Sequence, residues 1–155
     1  MKIFIENPAD QTLVAVKDWK KSENPFEAKF VILMVSDTEG IRISKNECAG
    51  RYEFKEAQEA AAEVLAPGGQ FMRCPTRREC LDIYDARFQG LDEAIEAIGG
   101  QRLDEHYIWT CESDPDPQYS SCYAFFFCGY DGDLGNDTKY YSYSVRPVTA
   151  FQIVK

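Results

Sequence analysis

The spacing of apolar and polar positions changes period twice along the 155 residues. Up to residue 44, short β-rich runs alternate with turn residues. Lys2 to Glu6 and Thr12 to Lys17 flank Asn7-Pro8-Ala9-Asp10, and Phe30 to Val35 and Ile41 to Ser44 flank Asp37-Thr38-Glu39-Gly40. Both read as β-hairpins; the polar stretch between them, Asp18 to Glu27 with its Asn24-Pro25, reads as loop. Ala57, Ala60, Ala61, Val64 and Leu65 then recur at helical spacing until Pro67-Gly68-Gly69. Thr76 with Glu79 three positions on is a capping box, and the helix it opens is expected to carry Leu81, Tyr84 and Phe88 on one face. Leu91, Ala94, Ile95 and Ile98 restart the helical spacing after Gly90, and Gly99-Gly100 closes it. From His106 the period returns to two. Tyr107 to Cys111, Cys122 to Cys128 and Tyr140 to Val148 read as strands, separated by acidic, turn-rich loops at Glu112 to Ser121 and Gly129 to Lys139. Both parities of the middle strand are apolar, so it is expected to be covered on both faces and central. Strands, helices, then strands, without an internal repeat, predict one α+β domain over residues 1–155, with an N-terminal hairpin region at 1–44.

Composition narrows the function. A hydrophobic fraction of 45% with 14% aromatics belongs to a packed globule. Seventeen Lys and Arg against 26 Asp and Glu leave a net charge of −9, which opposes a nucleic-acid or anionic-membrane partner. The longest apolar runs, Phe30 to Val35 and Tyr123 to Cys128, are strand-sized, so no membrane insertion is expected. Ile3-Phe4-Ile5 is too short for a signal-peptide core. As written the chain reads as cytoplasmic, with a surface or phage-particle location if a leader is removed or export takes another route. Cys122 and Cys128, six positions apart, would be about 20 Å apart along a strand and so cannot bond to each other. No CxxC pair exists and His106 is the lone histidine, which disfavours structural zinc; most of the six thiols read as small core hydrophobes.

Four segments carry a family pattern: Phe71-Met72-Arg73-Cys74-Pro75-Thr76-Arg77-Arg78-Glu79-Cys80, then Tyr107-Ile108-Trp109-Thr110, then Tyr123 to Gly132, and finally Val145-Arg146-Pro147-Val148. Over about residues 40–150 this ordered set resembles the bacterial family typified by the C-terminal domain of the Lcl adhesin, long described as a domain of unknown function. Phe71 stands where that family has Trp, and Cys74 and Cys80 where it has Leu; all three are apolar replacements. The resemblance implies a C-type-lectin-like fold, with two helices packed on a small antiparallel sheet and long loops at one end, and an adhesive carbohydrate-binding role. The family's acidic, sulfated glycans are opposed by the charge of −9.

The candidate residues follow from these readings. Arg73, Pro75, Thr76, Glu79, Trp109, Arg146 and Pro147 read as structural motif positions, the arginines tying carboxylates or carbonyls together and Trp109 lying in the core. Tyr119, Tyr130 and Tyr140, with Asp114 and Asp116, are the ligand-binding candidates, since exposed tyrosines make adaptable contacts of low entropic cost. Asp131, Asp133, Asn136 and Asp137 crowd one loop with hard oxygen donors, a calcium candidate although the spacing is not that of an EF-hand; no other cofactor is implied. His106, behind Asp104-Glu105, has no nucleophile at recognisable spacing and no phosphate-cradling glycine loop is present. The sequence therefore predicts a non-enzymatic module that binds a glycan or protein through its late loops, adhesin-like or phage receptor-binding. The alternative is a small intracellular enzyme or redox protein using a reactive cysteine such as Cys111.

Overall fold

Residues 1–24, 26–103 and 106–153 are described by a computed structural model. Pro25, in the expected loop, and Asp104-Glu105, ahead of the histidine, lie outside the described residues. Both N-terminal hairpins form, as β1 (Lys2–Glu6) with β2 (Leu13–Ala15) and β3 (Phe30–Met34) with β4 (Glu39–Ser44). They join through β1 and β3, and β10 (Val148–Gln152) closes the sheet in the order β10-β4-β3-β1-β2, antiparallel throughout. The N-terminal hairpin region and the end of the chain are thus one sheet. Alternation sends Ile5, Val31, Leu33, Ile41, Ile43 and Val148 to one face, where they form the main core with both central helices.

Among the described residues three α-helices follow β4: α1 (Phe54–Ala62), α2 (Arg77–Arg87) and α3 (Leu91–Ala97). The first begins three residues earlier than its alanine spacing indicates and ends before Val64 and Leu65. Leu65 instead opens a short hairpin, β5 (Leu65–Ala66) with β6 (Gln70–Phe71), turning at Pro67-Gly68-Gly69. The expected core face of α2 is corrected in part: Tyr84 packs against the main core, but Leu81 and Phe88 are exposed, and the buried positions are Cys80, Ile83 and Ala86.

The second sheet is a meander of β7 (Tyr107–Ser113), β8 (Tyr123–Cys128) and β9 (Leu134–Thr138), with β8 in the middle. Two expectations fail here. The stretch 129–139 is not all loop, because Leu134–Thr138 pairs with β8. Gly135 makes that pairing possible, since a Cβ there would lie 2.2 Å from the Phe126 ring. And Tyr140 to Val148 is not one strand. The chain turns at Lys139-Tyr140, runs extended past Pro147 making bridges only at Tyr143 and Ser144, and becomes a strand at Val148. Ile108 and Phe127 close the main core from the second sheet, while Trp109, Ala124 and Val145 form a second core with Phe54, Ala57 and Ala61 of α1.

The capping box forms: the Glu79 amide donates to Thr76 Oγ1 (3.1 Å) and the Thr76 amide to Glu79 Oε1 (2.9 Å). Arg73 donates to both Glu79 oxygens, at 2.6 and 2.9 Å. Burial pushes the Glu79 carboxyl up, but Arg73 and Thr76 together outweigh it and hold it below its ordinary 4.5. A carboxyl whose folded pKa is depressed stabilises the fold above its ordinary range and loses that contribution as pH falls through the folded value. Glu79→Gln is therefore expected to cost about 1 kcal/mol at neutral pH, with the gap in melting temperature closing on acidification below about pH 4. An equal gap at pH 3 would exclude this linkage.

Candidate functional site

Where the start of β7 meets the turn after β8, two further pieces of backbone converge into an open cleft. The turn Gly129–Asp133 is built to protrude. Gly132 adopts a φ of +78°, and a Cβ there would lie 2.8 Å from the Tyr84 ring of α2, so only glycine lets this turn sit against the helix. Arg87 of α2 donates to the carbonyl of Gly129 and, at 3.4 Å, to that of Tyr130. Buried Asp92 orients Arg87 at 2.7 Å and also accepts the Leu103 amide at 2.9 Å. With its backbone held, the Tyr130 side chain is left 74% exposed.

The opposite wall is the loop 45–53, fixed at Cys48 and Tyr52 by backbone hydrogen bonds to Val145 and Tyr143. The cleft, about 450 Å³, is walled by Tyr107, Tyr130 and Tyr143 and carries Arg51, His106 and Ser142 among its polar groups. Tyr107 is half exposed, and its ring centroid lies 5.9 Å from that of Tyr143, edge to face. Tyr143 packs in turn on Trp109 at 4.8 Å, so the cleft floor is continuous with the second core. The Tyr143 hydroxyl donates to Asp137 Oδ2 at 2.5 Å; burial, then that carboxylate, pushes its pKa up, and it stays a phenol. Asp131, at the cleft's edge, is held below the usual carboxylate range by the amide of Asp133 and then by the Cys128 thiol. His106 Nδ1 lies 2.7 Å from Glu47 Oε1. Ring faces beside both donors and acceptors make a surface that can hold a molecule with an apolar face and peripheral hydroxyls.

The predicted ligand residues do not come together. Consecutive turns of a meander lie at opposite ends of the sheet. The loop between β7 and β8, with Asp114, Asp116 and Tyr119, is therefore at the far end from the turn carrying Tyr130. Tyr140 belongs to that far end too, where Lys139 Nζ donates to the Ser120 carbonyl at 2.7 Å. Tyr119 and Tyr140 are exposed there, but only Tyr130 of the predicted set lines the cleft. Asp114 and Asp116 are engaged locally: Asp114 accepts from the Asp116 amide and from Asn136 Nδ2, and Asp116 from the Gln118 amide.

The four calcium candidates likewise diverge. Asp131 accepts the Asp133 amide within the turn, while Asn136 and Asp137 sit on β9, where alternation sends them to opposite faces. Asn136 reaches Asp114 and Asp137 reaches Tyr143. Among the described residues no three His, Cys, Asp or Glu side chains group so as to hold a metal ion.

The motif residues meet one another. Arg73 and Val148 exchange backbone hydrogen bonds at 2.9 and 2.8 Å, the Cys111 amide donates to the Pro75 carbonyl at 2.9 Å, and the Trp109 amide to the Ser144 carbonyl at 3.1 Å. Buried Trp109 gives its indole N–H to the Tyr52 carbonyl at 2.8 Å. All six cysteines are free thiols. Burial pushes Cys74 up to about 12 and raises Cys48, Cys80, Cys111 and Cys128 as well, which favours the unreactive thiol form. Cys122, expected in a strand, is exposed just ahead of β8.

Arg51, His106, Tyr107, Ser142 and Tyr143 are the cleft residues that sequence reasoning missed. His106 and Tyr107 adjoin one another, but no spacing connects them to Arg51 or Glu47. The chain matches no protein family and no curated protein. Among the described residues no helix is long and apolar enough to cross a membrane.

Proposed function

We propose that this chain is a non-enzymatic ligand-binding module of C-type-lectin-like fold, akin to the Lcl C-terminal domain family, whose ligand is a neutral glycan seated in the Tyr107–Tyr130 cleft. The observation that carries the reading is the cleft itself: exposed tyrosine rings beside Arg51, His106 and Ser142 match the two kinds of surface a pyranose presents. Two helices lying on antiparallel sheets, and the direct contacts among the four motif segments, support the fold assignment. The protonated state favoured for Cys111 and its neighbours weighs against a redox role. An adhesin or receptor-binding role at a cell or phage surface belongs to the same reading, and dispersal of the four oxygen donors supports a calcium-independent version of it.

A glycan array probed with the purified chain, with calcium and with chelator, tests this. Retention of neutral glycans is expected, unchanged by chelator. Tyr130→Ala should weaken binding roughly tenfold, the loss of about 1–2 kcal/mol that removal of a central aromatic contact brings, without lowering the melting temperature. Failure to retain any neutral glycan, or full binding by Tyr130→Ala, would refute the assignment.

A further inference from the structure

The cleft continues past His106. Beyond that side chain lies a second hollow, about 620 Å³, lined by Asn46, Glu47, Ala49, Gly50 and Gln101; the two hollows share Arg51, His106 and Ser144 as a common saddle. Each volume falls within the range of about 300–1,000 Å³ typical of small-molecule sites. Their chemistry differs. The first hollow offers rings, the second a carboxamide at Asn46, another at Gln101, and a glycine wall so open that a Cβ on Gly50 would meet nothing within 4 Å. The saddle carries polar groups of its own. With Nδ1 of His106 engaged by Glu47, Nε2 is the ring's remaining hydrogen-bonding atom, and beside it Arg51, which makes no ion pair among the described residues, is a donor.

Resting on the neutral-glycan reading, we infer that the ligand is an oligosaccharide with two adjoining units across His106. One stacks on the tyrosine rings and the next lies in the amide-lined hollow, with the linkage between them over the saddle. A single sugar fills only the first hollow. Two units fill both and add hydrogen bonds at Asn46 and Gln101.

Calorimetric titration of the full chain with methyl α-glucoside, methyl β-galactoside, N-acetylglucosamine, maltose, cellobiose, lactose and N,N′-diacetylchitobiose provides the test. At least one disaccharide is expected to bind ten times more tightly than its component monosaccharide. Ala49→Trp, which fills the second hollow from an exposed loop, should bring that disaccharide to the monosaccharide's affinity and leave the monosaccharide unchanged; Asn46→Ala should act in the same direction, less strongly. Equal affinity for mono- and disaccharides, or a disaccharide advantage untouched by both substitutions, would overturn the two-unit site while leaving the tyrosine cleft standing. Failure of every sugar to bind would overturn both.

Discussion

Arg146→Ala is expected to remove a large share of the protein's stability, about 3–5 kcal/mol. Arg146 is 1% exposed, and its guanidinium spans two stretches of backbone. Nη1 donates to the carbonyls of Ser44 and Lys45 at 3.1 and 2.6 Å, and Nη2 to those of Gln101 and Arg102 at 2.7 and 3.1 Å. Hydrogen bonds from a charged group contribute roughly 1.5–3 kcal/mol each and do not sum freely, and acceptors left buried and unpaired add their own penalty. Against a total of about 5–15 kcal/mol, the loss should appear as a fall of roughly 10 °C or more in melting temperature. Arg146→Lys should recover little, because one ammonium cannot serve two carbonyl pairs on opposite sides. Lys45 and Gln101 flank the loop that forms the cleft wall, so glycan affinity should fall in the lysine variant even where it remains folded. Urea unfolding with a loss below about 1 kcal/mol for Arg146→Ala would show that the carbonyls find other partners.

Arg146 also marks where sequence reasoning reaches its limit. The motif reading makes it a tie between carboxylates or carbonyls without saying which, and the carbonyls it holds lie 44 to 102 positions away. Local signals performed well where local physics decides: the Thr76–Glu79 box, both N-terminal hairpins and the doubly apolar β8 are each set within a few residues. They failed where tertiary packing decides. β9 is polar and glycine-bearing and reads as loop; it is a strand because β8 offers an edge and Gly135 clears the Phe126 ring. The segment 140–147 alternates like a strand, but it lies between two sheets and is held by isolated bridges and by Arg146.

The candidate site was even less legible. Tyr130 could be picked as an exposed aromatic on a turn, whereas its partners come from a loop near residue 50, the start of β7 and the segment after β9. Grouping the two late loops neglected a simple rule, that consecutive turns of a meander alternate ends. Applied to the strand order alone, that rule would have separated Tyr119 from Tyr130.

The second large effect belongs to the outer face of the five-stranded sheet. Glu6 on β1 and Arg42 on β4 meet across β3 as a bidentate pair, Nε to Oε1 at 2.8 Å and Nη2 to Oε2 at 2.7 Å, both side chains almost wholly buried. Arg42 also donates to Thr149 on β10 at 3.3 Å and lies over the Phe151 ring, 5.2 Å from its centroid. One cation thereby links three strands that are not all neighbours. Glu6→Leu alone should cost about 3–5 kcal/mol, because it leaves a guanidinium buried without its counter-charge, and Arg42→Met alone should cost about the same for the opposite reason. The double variant is expected to be considerably more stable than either single one, since exchanging both charges for apolar groups removes the desolvation penalty together with the attraction. Chemical unfolding of the four proteins gives the coupling directly. A double variant as unstable as the sum of the singles would mean that the pair's contribution lies in packing against Thr149 and Phe151 rather than in its charges.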